Sequence, residues 1–379
     1  MTAVNRPSVG MRAPIPVTIF TGFLGAGKTT LLNRLLKDAD LAGTAVIINE
    51  FGEIGLDHLL VERADDSVVE LSSGCLCCTI RGDLISTLED LLRRLDNGRL
   101  DHLARVVIET TGLADPAPVL HAVMLHPYLV QRYRLDGVIT VIDAINGLDT
   151  LDAHEEAVKQ AAVADRLVLA KSDLVQDEPR CDALTLLRDR LRVLNPGAIL
   201  LDAAKGEARA AALTNTGLFD PTTKIPDVAR WLNEEAYRDP HLHHRHHDVN
   251  RHDARVRAFT LAAERPVPEA ALDMFLDLLR SAHGPKLLRV KGIVATVEDP
   301  EHPVVLHGVQ HVLHPPVKLE NWPDDDRRTR LVFITRDLPE GFVRRLFDAF
   351  TGTVAPDTPD RKAVENNPLA ISGFSGRFD

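Results

Sequence analysis

Cysteine is scarce in this chain of 379 residues: there are four, and three of them, Cys75, Cys77 and Cys78, fall within four positions. Thiols that close make a poor disulfide framework, so a secreted, disulfide-stapled domain is excluded and reduced thiols in a cytosol are expected. Long apolar runs are also missing. Arg6 and Arg12 precede an apolar stretch, but Val17 to Phe20 has only the length of a strand, whereas a secretory core needs roughly 7–15 apolar residues. Nothing approaches the roughly 18 apolar residues of a membrane-crossing helix. Basic charge is in deficit, with 44 Lys plus Arg against 55 Asp plus Glu and a net charge of −11. Aromatics are few, with three Tyr and two Trp. An acidic chain poor in stacking side chains is a poor candidate for general nucleic-acid binding. No internal repeat is visible.

What is present is an alternation of short apolar runs with longer helical patterns. Strands are expected at Val17–Phe20, Ala45–Asn49, Val68–Leu71, Arg105–Glu109, Gly137–Asp143, Arg166–Lys171 and Ala198–Leu201, with helices such as Thr29–Lys37, Asp83–Arg94 and His154–Ala164 between them. Continuous runs such as Val106-Val107-Ile108 suit strands buried on both faces. The alternation predicts an α/β fold with a doubly wound, mostly parallel sheet. The pattern breaks near Tyr237, where a stretch from His241 to His252 has no apolar face to bury. Beyond it, strands at Arg255–Ala263, Leu287–Thr296, Val304–Leu313 and Thr329–Thr335 and helices at Pro268–Ala282 and Leu338–Phe350 predict a smaller α+β domain. The expected organisation is a loose leader over 1–14, a first domain over 15–237, a His-rich linker over 238–253, a second domain over 254–352 and a loose tail over 353–379. At roughly 100–200 residues per domain, the length agrees.

Gly22-Phe23-Leu24-Gly25-Ala26-Gly27-Lys28-Thr29 matches the phosphate-binding pattern G-x-x-x-x-G-K-[ST], after a predicted strand and before a predicted helix. Glycines let backbone N–H groups turn inward around phosphate oxygens, and the helix N-terminus adds a positive dipole. Lys28 then reaches the β- and γ-phosphates, and the Thr29 hydroxyl ligates Mg²⁺. Such a loop needs an acid on a neighbouring strand. Glu109 ends a buried run and is followed at an E-x-x-G spacing by Gly112, whose N–H could approach the γ-phosphate. Asp143, at the end of another apolar strand, is the rival. Lys171 and Asp173 follow a late strand, and a buried Asp there would accept the N1 and N2 hydrogens of guanine, which adenine cannot supply.

Three dense thiols at Cys75, Cys77 and Cys78 suit a soft or borderline metal such as Zn²⁺ or Cu(I), with one coordination position left for a carboxylate, a His, water or a partner's group. The His stretch is either a second metal-binding segment or a solvated linker. Cys181 is expected to pack in a helix. His307, His311 and His314 are expected on strand or loop surface.

These segments together carry a resemblance. With GFLGAGKTTLLN at Gly22–Asn33, INEFGEIGLD at Ile48–Asp57, ELSSGCLCC at Glu70–Cys78, ETTGLADPAPV at Glu109–Val119 and RVKGIV at Arg289–Val294, the chain resembles the CobW family of P-loop GTPases, related more distantly to the nickel-insertion GTPases UreG and HypB. The resemblance runs from about Val17 to about Phe350. It implies a GTPase that carries a metal, most often zinc and in some branches cobalt, to a client metalloprotein. It implies GTP or GDP and Mg²⁺ at Gly25, Ala26, Gly27, Lys28, Thr29, Thr30 and Gly112, with Glu109 as the Walker-B acid and Lys171 and Asp173 at the base. Asn49 to Asp57 is similar to the first switch, and Glu53 to a family acid that acts with Cys77 and Cys78 at the metal site. Ala170 stands where the guanine motif usually begins with Asn. A water-orienting Gln or arginine finger is not evident, so slow turnover is expected. A homo-oligomer is left open. The other classes that fit a P-loop or a His stretch are a small-molecule kinase, which leaves the thiols unexplained, and a nucleotide-independent metal buffer.

Overall fold

The first sheet forms because its strands are apolar on both faces. In the computed structural model, which describes residues 13–49, 68–70, 77–214, 255–310, 312–313 and 316–351, seven strands lie parallel. They are β1 (Ile15–Thr21), β2 (Thr44–Asn49), β3 (Val68–Glu70), β4 (Arg105–Thr110), β5 (Tyr133–Asp143), β6 (Arg166–Ala170) and β7 (Ile199–Asp202), in the order β3-β2-β4-β1-β5-β6-β7. Every pairing in this sheet is parallel. Val17, Ile19, Val106 and Ile108 are fully inaccessible, as strands covered by helices on both faces require.

The covering helices are α1 (Lys28–Leu35), α2 (Cys77–Asp96), α3 (Ala117–Leu125), α4 (Leu129–Arg132), α5 (Gly147–Ala153), α6 (Glu155–Ala162), α7 (Glu178–Leu194) and α8 (Ala210–Leu213). In α2, Leu84, Leu88, Leu91 and Leu92 recur at helical spacing and are all buried. The helix starts at Cys77, six positions before the point that apolar periodicity marks. Asp177 opens α7 by accepting the N–H of Arg180, with a proline in the first turn.

The second sheet is antiparallel. Its strands are β8 (Val256–Ala263), β9 (Leu287–Val294), β10 (Val304–Val309), β11 (Val312–Leu313), β12 (Val317–Lys318) and β13 (Thr329–Arg336), ordered β11-β10-β9-β13-β8 with β12 beside β10. Helices α9 (Glu269–His283) and α10 (Glu340–Thr351) cover it, and Phe275 packs edge-on against Phe333 and Phe347. The stretch Val304–Leu313 is not one strand: the chain folds back at Gln310, whose φ is 53°, so that Gly308 and Val309 pair with Leu313 and Val312.

The two sheets share a junction. Val309 and Val312 enter the apolar cluster built from α2, α3 and the first sheet, and Leu288 and Ile334 pack on Ala162 of α6. At its centre lies Asp165, 4 % exposed, between Arg289 and Lys291 of β9. Lys291 Nζ stands 2.8 Å from Asp165 Oδ1, and Arg289 bonds both Asp165 and the carbonyl of Val163. Burial opposes the Asp165 carboxylate, but Arg289, Lys291 and His307 hold its carboxyl far below the usual range. His307 is therefore not a surface residue as expected; it is 5 % exposed. Cys181 differs the other way: it is exposed on α7 and packs in no core. His311 and His314, the stretch 238–253 and the tail over 353–379 lie outside the described residues, as do residues 1–12 of the expected leader. Among the described residues no helix is long and apolar enough to cross a membrane.

Candidate nucleotide site

In a parallel sheet all strands end on one edge, and the loops that leave that edge make the ligand crevice. The loop from β1 to α1 is such a loop. Gly22 has φ 140°, and a Cβ there would lie 2.3 Å from the carbonyl oxygen of Val141, so only glycine fits. Gly27, at φ 97°, turns the chain directly into α1. Lys28, the first helical residue, is buried and curls back over its own loop, donating to the carbonyls of Gly22 at 3.0 Å and Phe23 at 3.2 Å. Its ammonium thus sits over a ring of backbone groups with no side chain in the way at Gly22, Gly25 or Gly27. Thr30 faces outward.

Thr29 donates its hydroxyl to Glu109 Oε1 at 2.7 Å. Glu109 is buried near the end of β4, and its Cα is in register with Phe20 on β1. A hydroxyl and a carboxylate oxygen side by side at the mouth of the loop are the hard oxygen donors that Mg²⁺ takes. The rival acid is engaged elsewhere. Asp143 accepts Lys171 Nζ at 2.8 Å, the N–H of Ile145 at 2.8 Å and the side-chain amide of Asn146 at 3.1 Å. Burial raises the Asp143 carboxyl, but Lys171 and these amides outweigh it and hold the group below its ordinary value.

Lys171 also donates to the carbonyl of Gly25 at 2.6 Å, with its own backbone at φ 61°. It ties the phosphate loop to the loop after β6. Ala170 is buried, and a Cβ on Gly27 would meet its methyl at 3.6 Å, so bracing at this point comes from Lys171. Asp173 is exposed in the short turn Ser172–Leu174. That turn is fixed from below, where Asp202 accepts the Ser172 hydroxyl and Arg188 Nη2 at 2.7 Å.

After Glu109 the chain runs under the phosphate loop. A Cβ on Gly112 would lie 2.5 Å from the amide nitrogen of Leu24, so glycine is what lets the two main chains touch. Gln160 of α6, fully buried, donates to the carbonyls of Gly112 at 3.2 Å and Ala114 at 3.0 Å. A cavity of about 150 Å³ lies on this flank, lined among others by Phe23, Asn146, Thr150, Gln160 and Lys171. The Phe23 ring stacks on His154 at 4.3 Å.

Lys28, Thr29, Glu109, Gly112 and Lys171 are therefore brought together. Cys77 and Cys78 are the first two residues of α2, while Cys75 and Glu53 lie outside the described residues, as does all of the expected first switch beyond Asn49. Sequence reasoning did not single out Gln160, Asp165 or Gln310. The signals were present but quiet. Gln160 is one amide in the alanine-rich run Ala157–Ala164, and Arg289 and Lys291 are two cations inside an otherwise apolar strand.

Residues 16–201 match the family model described as CobW/HypB/UreG, nucleotide-binding domain, and residues 256–351 match the cobalamin synthesis protein cobW C-terminal domain. The zinc chaperone YjiA of Escherichia coli is 32% identical over 334 residues, covering 88% of this chain and 98% of that one. The zinc-regulated GTPase metalloprotein activator 1 of Schizosaccharomyces pombe is 36% identical over 229 residues, covering 58% of this chain and 51% of its own. The crystal structure of Zn(II)-bound YjiA GTPase from Escherichia coli superposes with a TM-score of 0.62 at 26% identity, covering 89% of this chain and 99% of that chain.

Proposed function

The chain belongs to the CobW/HypB/UreG family, and on that premise we propose that it is a GTPase that binds zinc at its C-x-C-C segment and hands it to a client metalloprotein under nucleotide control. The observation that carries the nucleotide half is the Thr29–Glu109 pair at 2.7 Å beside Lys28 in a glycine cradle. When Mg²⁺ binds, Thr29 and Glu109 would hold it, and the ion would neutralise charge on the β- and γ-phosphates. Lys28 exchanges its carbonyl bonds for phosphate oxygens. The Gly112 N–H lies where the chain meets the phosphate loop and reports whether a γ-phosphate is there. Asp173, free to face a base from its exposed turn, supplies the preference for guanine, and Lys171 holds that turn against the cradle.

The metal half rests on topology. β2 and β3 are adjacent and parallel at one end of the sheet. The segment with Glu53 leaves the carboxyl end of β2, and the segment with Cys75, Cys77 and Cys78 leaves that of β3 and enters α2. Both exits share the sheet edge that carries the phosphate loop. A γ-phosphate that orders the segment after β2 would bring Glu53 toward or away from the thiols and so change zinc affinity. Linkage makes the effect reciprocal: zinc must change GTP affinity by the same factor.

The test is a pair of zinc titrations on the full chain, one with GDP and one with a non-hydrolysable GTP analogue. We expect a difference on the order of 5–150-fold in zinc affinity between the two states. Replacing Cys77 and Cys78 with Ser should remove high-affinity zinc, because a hydroxyl is a far poorer ligand than a thiolate, and leave nucleotide binding intact. Identical zinc affinity in both nucleotide states would end the proposal that hydrolysis gates release.

A further inference from the structure

The loop from Thr111 to Pro116 joins the acid Glu109 to α3, and it is held from two sides by side chains that the phosphate chemistry does not use. From one side Gln160 donates both N–H groups of its amide, to the carbonyls of Gly112 and Ala114. Gln160 belongs to α6, and Ala162 on that helix packs on Leu288 and Ile334 of the second domain, while Arg289 bonds the Val163 carbonyl that follows. From the other side the contact with the second domain is direct. Gln310, at the turn between β10 and β11, donates its amide to Asp115 Oδ2 at 2.8 Å. The other oxygen of Asp115 accepts the N–H of Ala117 at 3.0 Å and so fixes the start of α3. Lys159 adds a looser ion pair at 3.6 Å.

We propose that Gln160 and Gln310 are positioning residues for GTP hydrolysis, and that through them the C-terminal domain sets the place of Gly112 against the phosphate loop. The proposal rests on the nucleotide reading above. Its physical basis is the closeness at Gly112, where even a methyl group would overlap the main chain of Leu24. A loop packed that tightly transmits a shift of a few tenths of an ångström straight to the backbone around the phosphates. Two amide side chains with fixed donors are suited to hold such a position, Gln160 through the carbonyls of Gly112 and Ala114 and Gln310 through the Asp115 carboxylate that starts α3. The consequence is that docking of the second domain, and whatever binds to that domain, acts on turnover with no contact to nucleotide.

The direction of the Gln310–Asp115 bond gives a sharp test. Gln310→Glu sets two carboxylates against each other, whereas Asp115→Asn alone leaves two amides that still pair, one turning over so that its oxygen accepts. Together they restore the bond with donor and acceptor exchanged and no change in length. Steady-state GTP hydrolysis of the full chain with Mg²⁺ gives kcat and KM, and a fluorescent GDP analogue gives affinity. Gln310→Glu should lower kcat by about 3- to 10-fold with little change in KM or GDP affinity, and the double variant should recover most of it. Gln160→Met, which keeps volume and loses the donor, should lower kcat further. If it does not fold, the partly exposed Gln310 and Asp115 still decide the matter. A wild-type kcat in Gln310→Glu, or a double variant no better than its worse parent, overturns the coupling while leaving the nucleotide reading intact. A wild-type chain that binds no guanine nucleotide overturns both.

Discussion

Lysine serves two opposite ends in this molecule. At the phosphate loop Lys28 bonds backbone carbonyls of the loop itself, those of Gly22 and Phe23. At the domain junction Lys291 lies beside Asp165 with Arg289, all three buried. Carbonyl dipoles are weak partners that an incoming phosphate displaces at little cost. A buried carboxylate is not displaced, because removing it strands two cations in a low-dielectric interior. The first arrangement is built for exchange and the second for permanence, and the difference between them can be measured.

The largest effect is expected at the exchangeable site. Lys28→Ala removes the charge-assisted bonds proposed here to two phosphates, each worth about 1.5–3 kcal/mol, so GTP and GDP affinity should fall by about 100-fold or more. Isothermal calorimetry measures it. Without nucleotide the variant should melt within a few degrees of wild type, since the bonds lost are to carbonyl dipoles of its own loop. Nearly unchanged affinity would show that this lysine is structural, like the one at the junction. The permanent site should behave in reverse. Asp165→Asn leaves Arg289 and Lys291 without their counter-ion and should cost about 3–5 kcal/mol, a fall in melting temperature of roughly 10 °C. GTP affinity measured well below that transition should be little altered. A melting temperature equal to wild type would break the contrast.

The same contrast explains what the sequence makes legible. The exchangeable site is local: Gly22 to Thr29 is one continuous segment, and its glycine turn with Lys28 curled over it reads directly from the spacing. Glu109 and Gly112 read almost as well, because an acid ending an apolar run is conspicuous. The strands of the first sheet read from Val106-Val107-Ile108 and similar runs. The junction is non-local. Asp165 meets residues more than 120 positions away, and nothing near it in the chain records them. His307 reads as surface because a histidine on a strand has no local sign of what covers it. Val304–Leu313 reads as one strand because apolar alternation runs through Gln310, and only pairing of Val309 with Val312 reveals the turn. Cys181 reads as packing because a lone thiol in a helix is usually buried; here α7 turns it to solvent.

A smaller effect should appear at the base. Asp173→Ala removes the acceptor proposed for guanine, and the loss of one or two charge-assisted bonds of about 1.5–3 kcal/mol each should bring GTP affinity down toward that for ATP. Competition calorimetry with both nucleotides reads the ratio. Ala170 offers no amide to help, so Asp173 should account for most of the preference. A GTP preference that survives Asp173→Ala would move base selection to another part of the site.

The smallest effect is the titration of the buried lysine at the junction. Burial, and then repulsion from Arg289, push Lys291 down to about 8, against which Asp165 pulls it back only in part. In the unfolded chain the same ammonium keeps its proton to about 10.5. Between those two values the unfolded state binds more protons than the folded one, so this group makes the fold more stable as pH rises. The groups that face it are Asp165, Arg289 and Arg166, and His307 faces Asp165. Other groups titrate in the same window, so the quantity to measure is the difference between wild type and Lys291→Met, by urea unfolding at pH 7, 8 and 9. Wild type should gain about 1 kcal/mol on the variant over that range. A wild-type–Lys291→Met difference that stays flat from pH 7 to 9 would mean that the junction keeps Lys291 protonated as firmly as solvent does. The distinction between exchangeable and permanent charge would then rest on geometry alone.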